Sequence, residues 1–257
     1  MNSFFNLKNK VAVITGSSRG IGKAIAVRFS ELGAKVIVSS RKIDACEQVV
    51  KEIINTGGLA NAFECNISNK NSCQELINFA KNTYGKIDIL VCNAASNPYY
   101  GDLADIPDES FEKIMNNNVK SNLWLCKNVI PYFKKNKSGS IIIVSSIAGL
   151  QGVKNLGAYS ISKTADIGLI RSLAVELGKY NITVNGLCPG IIKTDFAKAL
   201  WENPDILKEV ESYAPLKRIG NTDEVAGAAI LLASKPGAFI TGQVITMDGG
   251  ITIAGRG

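Results

Sequence analysis

Tyr159 and Lys163 stand four residues apart in Tyr-Ser-Ile-Ser-Lys, and on a helix that spacing places both side chains on one face. Ser146 lies thirteen residues before Tyr159, at the end of the β-branched run 141–145. A free tyrosine, with a pKa of about 10, is a poor base at neutral pH. A lysine ammonium beside it favours the phenolate, so the phenol can give a proton to a carbonyl oxygen or take one from an alcohol. Ser146 supplies a hydroxyl to hold and polarise that same oxygen. The 257-residue chain contains no histidine, which removes the commonest general base, a Ser-His-Asp triad and most zinc chemistry together. No metal site is expected.

These side chains need a scaffold, and the hydrophobic pattern predicts one. Short apolar runs at 11–14, 35–39, 60–65, 89–92, 141–145, 183–187 and 244–247 alternate with helix-like stretches. The stretches cover 21–32, 44–55, 72–83, 110–134, 159–179 and 223–233. Near-continuous apolar strands separated by helices predict a single α/β domain: a Rossmann-type, doubly wound parallel sheet of about seven strands with helices on both faces. Turn signals such as Leu32-Gly33-Ala34 and Thr56-Gly57-Gly58 fall where crossovers stop and start. Only 195–215 breaks the rhythm, and it is expected to form an inserted helical flap.

Composition sets further bounds. With 46% hydrophobic and 20% charged residues the chain suits one globular domain. No stretch reaches the roughly 18–20 consecutive apolar residues of a membrane span. The start, 1–10, has no apolar signal-peptide core, and the end, Ala254-Gly255-Arg256-Gly257, is no peroxisomal signal. Six scattered cysteines without a Cys-x-x-Cys pair read as buried free thiols in a reducing compartment. The expectation is a cytoplasmic protein with no membrane contact. A net charge of +7 fits either a solvated basic surface or attraction to anionic ligands, such as a phosphorylated cofactor or an acidic carrier protein. The basic residues are dispersed apart from Lys134-Lys135-Asn136-Lys137, so no nucleic-acid partner is expected.

Directly after the first strand comes Thr15-Gly16-Ser17-Ser18-Arg19-Gly20-Ile21-Gly22, with a helix following. Glycines there allow a tight turn and close backbone approach, and the helix presents free N–H groups to a pyrophosphate. NAD-binding folds usually carry an acid near the end of strand two, where it bonds the adenosine ribose. Here that region reads Val38-Ser39-Ser40-Arg41-Lys42, without an acid. A guanidinium suits a phosphate and a carboxylate repels one, so Ser40 and Arg41, with Arg19 in the turn, favour NADP(H) over NAD(H). The positive nicotinamide of the oxidised cofactor would further favour the Tyr159 phenolate.

With those motifs in place the chain resembles the short-chain dehydrogenases/reductases over nearly its whole length. The resemblance rests on residues 15–22, on Asn93-Ala94-Ala95, on Ser146 with Tyr159-x-x-x-Lys163, and on Pro189-Gly190 followed by Thr194. It implies a catalytic tetrad of Asn118, Ser146, Tyr159 and Lys163, in which Asn118 fixes a helix kink and a water relaying protons to Lys163. It places Gly16, Ser18, Arg19, Gly20, Ile21 and Gly22 on the cofactor. Asn93, Ala94 and Ala95 would line it, while Pro189, Gly190, Ile192 and Thr194 would clasp its nicotinamide and phosphates. Two positions depart from the family pattern: Ala95 replaces a glycine, and Asn66 before Ile67 replaces the acid that meets adenine. The resemblance also implies a homotetramer built through 110–134 and 159–179.

Within the family, 38–42 and 93–101 look most like NADPH-dependent carbonyl (retinal-type) reductases acting on a small ketone or aldehyde. The alternative is a 3-oxoacyl carrier-protein reductase, although a basic residue often found there just before strand five is Ser140 here. A non-catalytic dinucleotide-binding regulator is disfavoured because Ser146, Tyr159 and Lys163 are all present. Substrate contacts are expected from Ser146, Asn97, Tyr99, Leu150, Phe196 and Trp201, as an apolar pocket with few polar anchors.

Overall fold

Apolar residues recur on both sides of every central strand, so the sheet has to be covered twice. In the computed structural model, which describes residues 4–254, it is. Residues 1–3 and 255–257, part of the two termini read above, lie outside the described residues. The strands are β1 (Val11–Thr15), β2 (Lys35–Ser40), β3 (Leu59–Glu64), β4 (Ile89–Cys92), β5 (Gly139–Val144), β6 (Ile182–Pro189) and β7 (Val244–Met247). They form one parallel sheet in the order β3-β2-β1-β4-β5-β6-β7.

The helices are α1 (Gly20–Glu31), α2 (Ile43–Asn55), α3 (Lys70–Tyr84), α4 (Asp108–Met115), α5 (Ser121–Asn136), α6 (Gly157–Leu177), α7 (Pro204–Tyr213) and α8 (Thr222–Ala233). Alternation along β1 divides the core. Ala12 and Ile14 pack with Ile25 and Phe29 of α1 and Val225 and Ala229 of α8. Val13 faces the other side, with Leu76 of α3, Val129 and Phe133 of α5 and Ile170 of α6. In α1 the buried positions Gly22, Ile25, Ala26 and Phe29 follow the helical repeat, which fixes the face it turns to the sheet. All six cysteines are buried and unpaired.

Two expectations need correction. The stretch 110–134 is not one helix: α4 and α5 are separated by a π turn at Asn116–Lys120. The wide turn is held by side chains that periodicity does not register, namely Asn118 and Ser121. Ser140, read as lying just before strand five, lies inside β5, buried and donating to Leu232 O at 3.0 Å. Within the expected flap, 195–215, a 3-10 turn at Asp195–Leu200 is followed by α7.

Strand order reverses direction between β1 and β4. Crossovers leave these two strands on opposite sides of the sheet, and a crevice opens at their carboxyl ends. The glycine turn and Asn93 stand on its two edges.

Candidate active site

The glycine turn is shaped by close packing. Gly16 and Gly20 adopt left-handed φ values of 63° and 58°, which glycine alone takes without cost. A Cβ on Gly22 would collide with Gly16 O. The Asn93 amide donates to Thr15 O and Gly16 O, both at 3.0 Å, and its N–H bonds Thr15 Oγ1. Asn93 therefore clamps the turn from beneath, while Ala94 packs against Gly16. Ala95 does not adopt a left-handed backbone, so the methyl group that replaces a hydrogen there is accommodated.

At the start of α1, Arg19 is the N-cap without a side-chain cap, and the first turn carries no acid. Its N–H groups and the positive end of the helix are therefore open to an anion, and Gly16, Ser18, Gly20 and Ile21 bring backbone close to it. These features fit a dinucleotide pyrophosphate. At the end of β2, Ser40 spends its hydroxyl on its own turn with Lys42 and Cys46, whereas Arg41 is exposed. Arg19 lies 3.4 Å from Asp195 across the flap, an exposed and therefore weak pair. After β3, Asn66 Oδ1 accepts from the Ser68 N–H and hydroxyl, and Ile67 is buried.

Ser146 follows β5 and caps the turn Ile147–Gly149 by accepting the Ala148 N–H at 3.1 Å. That bond uses a lone pair and leaves the hydroxyl proton for an external oxygen. The turn docks on α6: Ser145 Oγ bonds Lys163 O at 2.9 Å and Thr164 Oγ1 bonds Gly149 O at 3.0 Å. Helix α6 presents Tyr159 and Lys163, with the Lys163 Nζ 5.7 Å from the centre of the Tyr159 ring. Lys163 donates to Val144 O at 2.9 Å and to Asp166 Oδ2 at 3.1 Å. Its side chain is only 2% exposed, and that of Asp166 is 0%. Burial works against the Lys163 charge, yet Asp166 and Tyr159 outweigh it and hold the ammonium above its ordinary value. Burial pushes the Asp166 carboxyl up, and the Lys163 charge and the Asn122 amide counter it in part.

The three adjacent asparagines are told apart by their partners. Asn116 donates outward to Ser68 O and Asn117 donates to Ser96 Oγ. Asn118 is fully buried: its Oδ1 accepts the Ser96 N–H at 2.8 Å, and its Nδ2 donates to Ser96 O and Ser162 Oγ, both at 3.0 Å. Ser162 in turn bonds Tyr159 O. Asn118 thus ties the π turn to the chain leaving β4 and to α6 between Tyr159 and Lys163. Its own carbonyl accepts the Asn122 amide at 2.6 Å.

From β6, Pro189 and Gly190 lead into buried Ile192, which bridges to Gly220, and then Thr194 beside Gly20. In the flap, the Phe196 ring stands 6.3 Å from that of Tyr159. Trp201 spends its indole N–H on Thr194 O at 2.8 Å, so it braces the flap. Asn97, Tyr99, Leu103, Asn155 and Leu156 line a cleft beside Tyr159, in which Asn97 Oδ1 is a buried acceptor without a partner. Leu150 is exposed and does not line that cleft. Sequence reasoning missed Asp166 and Asn122; the only local signal was an acid three residues after Lys163 on the same helix face.

A family model described as "Enoyl-(Acyl carrier protein) reductase" matches residues 16–252. Dehydrogenase/reductase SDR family member 4 of Bos taurus is 41% identical over 244 residues, covering 95% of this chain and 88% of the relative. Its Homo sapiens counterpart is 38% identical over the same shares. Among solved structures, a 7α-hydroxysteroid dehydrogenase complexed with NADH and 7-oxo glycochenodeoxycholic acid is 37% identical, with a TM-score of 0.93 and 97% of each chain covered. A chain named as an NAD(P)-dependent gluconate 5-dehydrogenase from Beutenbergia cavernae, with NADP at low occupancy, is 28% identical with a TM-score of 0.93, covering 98% of this chain and all of that one. The glycine turn, the order of the strands and these matches lead to one conclusion: the chain belongs to the short-chain dehydrogenase/reductase family of oxidoreductases, which bind a nicotinamide dinucleotide.

Proposed function

We propose that this protein is an NADP(H)-dependent reductase that interconverts a ketone or aldehyde and an alcohol, with Tyr159 as proton donor and acceptor. The observation that carries this reading is the buried Lys163 ammonium held beside the half-buried Tyr159 ring, next to a serine whose hydroxyl proton is uncommitted. When bound, the cofactor supplies or takes the hydride at the carbonyl carbon. Ser146 donates its hydroxyl proton as a hydrogen bond to the carbonyl oxygen and polarises it. The Tyr159 phenol transfers its proton to that oxygen in reduction, and the phenolate left behind is stabilised by Lys163. Asn118 keeps α6 in register by its bonds to Ser96 and Ser162.

The glycine turn, the uncapped start of α1, Pro189, Gly190, Ile192 and Thr194 would hold the dinucleotide. The two solved relatives carry NADH and NADP respectively, so the choice rests on this chain's own residues. No acid ends β2, and exposed Arg41, with Arg19, would meet a 2′-phosphate. The side chains beside Tyr159 that would meet the substrate include Asn97, whose buried Oδ1 has no partner, and Phe196, whose ring stands 6.3 Å from that of Tyr159.

Tyr159→Phe tests the reading. Turnover on a panel of ketones and aldehydes, followed by NADPH absorbance, is expected to fall by about a thousandfold or more while NADPH binding stays near normal. Substantial residual turnover would refute the proton-transfer role. Activity on a free diketone, set against a carrier-linked 3-ketoacyl thioester, separates a small-molecule substrate from a protein-bound one.

A further inference from the structure

One fully buried acid in the core of the site plays no part in the chemistry above. Asp166 lies one turn below Lys163 on α6, and its two oxygens have different partners. Oδ2 accepts from Lys163 Nζ at 3.1 Å, and Oδ1 accepts from Asn122 Nδ2 on α5 at 2.9 Å. The same Asn122 nitrogen also donates to Asn118 O, and Asn122 Oδ1 is left buried without a partner. Burying a charged pair costs several kcal/mol per ion, and an orphaned amide oxygen adds to that cost.

What the carboxylate does follows from where its partner points. Lys163 has two acceptors, Val144 O at the end of β5 and Asp166, and between them they fix the ammonium beneath Tyr159. Among the described residues Asp166 and Lys163 have no other ion-pair partner. The other titratable groups facing the pair are Tyr159 on α6, Cys188 from β6 and Cys92 from β4. The Cys126 side chain and burial push the Cys92 thiol up, and burial pushes the Cys188 thiol up, so both stay neutral. The Asn118, Asn122, Ser145 and Ser162 side chains around the pair carry no charge. The field that Tyr159 feels is therefore that of one ammonium offset by one carboxylate.

We propose that Asp166 is a positioning residue of this active site: as the fixed counter-ion of Lys163 it holds the ammonium against the end of β5 and keeps it charged beneath Tyr159. The proposal rests on the proton-transfer reading of Tyr159. Without the carboxylate, burial would favour the neutral amine, and a neutral amine no longer stabilises a phenolate.

The test uses the full chain as Asp166→Asn, of nearly the same shape, and Asp166→Leu, which replaces the carboxylate by an apolar group. Two quantities are read: the acid limb of the pH profile of kcat/KM for alcohol oxidation, and the phenolate absorbance titration with NADP+ present, each with a Tyr159→Phe subtraction. Both variants are expected to move the limb and the titration to higher pH by about one unit, while Asp166→Glu restores the original position. A lower rate with an unmoved limb would assign Asp166 to packing alone and overturn the proposal. Movement to lower pH, or loss of both NADPH binding and cooperative unfolding in the two variants, also overturns it. The absorbance titration needs no substrate, so failure of the Tyr159 reading, seen as turnover by Tyr159→Phe, is distinguishable from failure of this one.

Discussion

Lys163 illustrates how one side chain depends on several elements. It is buried, yet it keeps its charge because Asp166 on the same helix and the β5 carbonyl of Val144 both accept from it. After β2, Arg41 is the opposite case, an exposed guanidinium with room to turn toward an anion. Arg41→Ala is expected to weaken NADPH by about ten- to a hundredfold, as the loss of one charge-assisted bond requires, and to leave NADH within about threefold. Fluorescence titration with both cofactors checks this, and an equal loss on both would sink the phosphate assignment.

Elements hold the site in register through bonds at their ends. The clearest case is the turn after β7, where Asp248 accepts the Gly250 N–H at 2.8 Å and both the N–H and hydroxyl of Thr252 at 2.7 Å. A Cβ on Gly190 would meet the Asp248 backbone, so this turn backs the strand exit that leads to Ile192 and Thr194. Burial opposes the Asp248 charge, but the bonds from Thr252 and Gly250 outweigh it and hold the carboxyl below its usual range. For an acid depressed in the folded state, the contribution is present above the unfolded value near 4 and is lost as pH falls through the lower folded value. Asp248→Asn should lower stability by about 1–2 kcal/mol at pH 7, or about 2–4 °C in Tm. The difference should shrink in calorimetry as pH falls below the unfolded value; a penalty that stays constant as pH falls would remove the charge from the explanation.

The whole chain carries apolar surface that its own fold does not cover. Val175 on α6 is 86% exposed, and Ile161 on α6 and Leu123 on α5 are also exposed. They lie on the outer faces of α5 and α6, the surfaces through which the expected homotetramer would be built. Light scattering is expected to give about four times the 27.4 kDa chain mass. A monomer at micromolar concentration would contradict that. No helix among the described residues is long and apolar enough to cross a membrane.

Much of this was legible from the chain alone because it is written at short range. The i, i+4 spacing of Tyr159 and Lys163, the glycines at 16, 20 and 22, and the alternation of apolar runs with amphipathic stretches depend only on local geometry. They suffice for the sheet, its helices and the place of the crevice. What tertiary structure decided is which polar groups meet across it. Only the fold shows that Asn93 clamps the glycine turn, that Asn118 and not its neighbours ties the break between α4 and α5 to α6, and that Trp201 braces the flap. Asn122 and Asp166 are 44 residues apart, and no local periodicity records their meeting. The pair Tyr159 and Lys163 could be named from spacing, but the charge that surrounds it is set by packing between helices far apart in sequence.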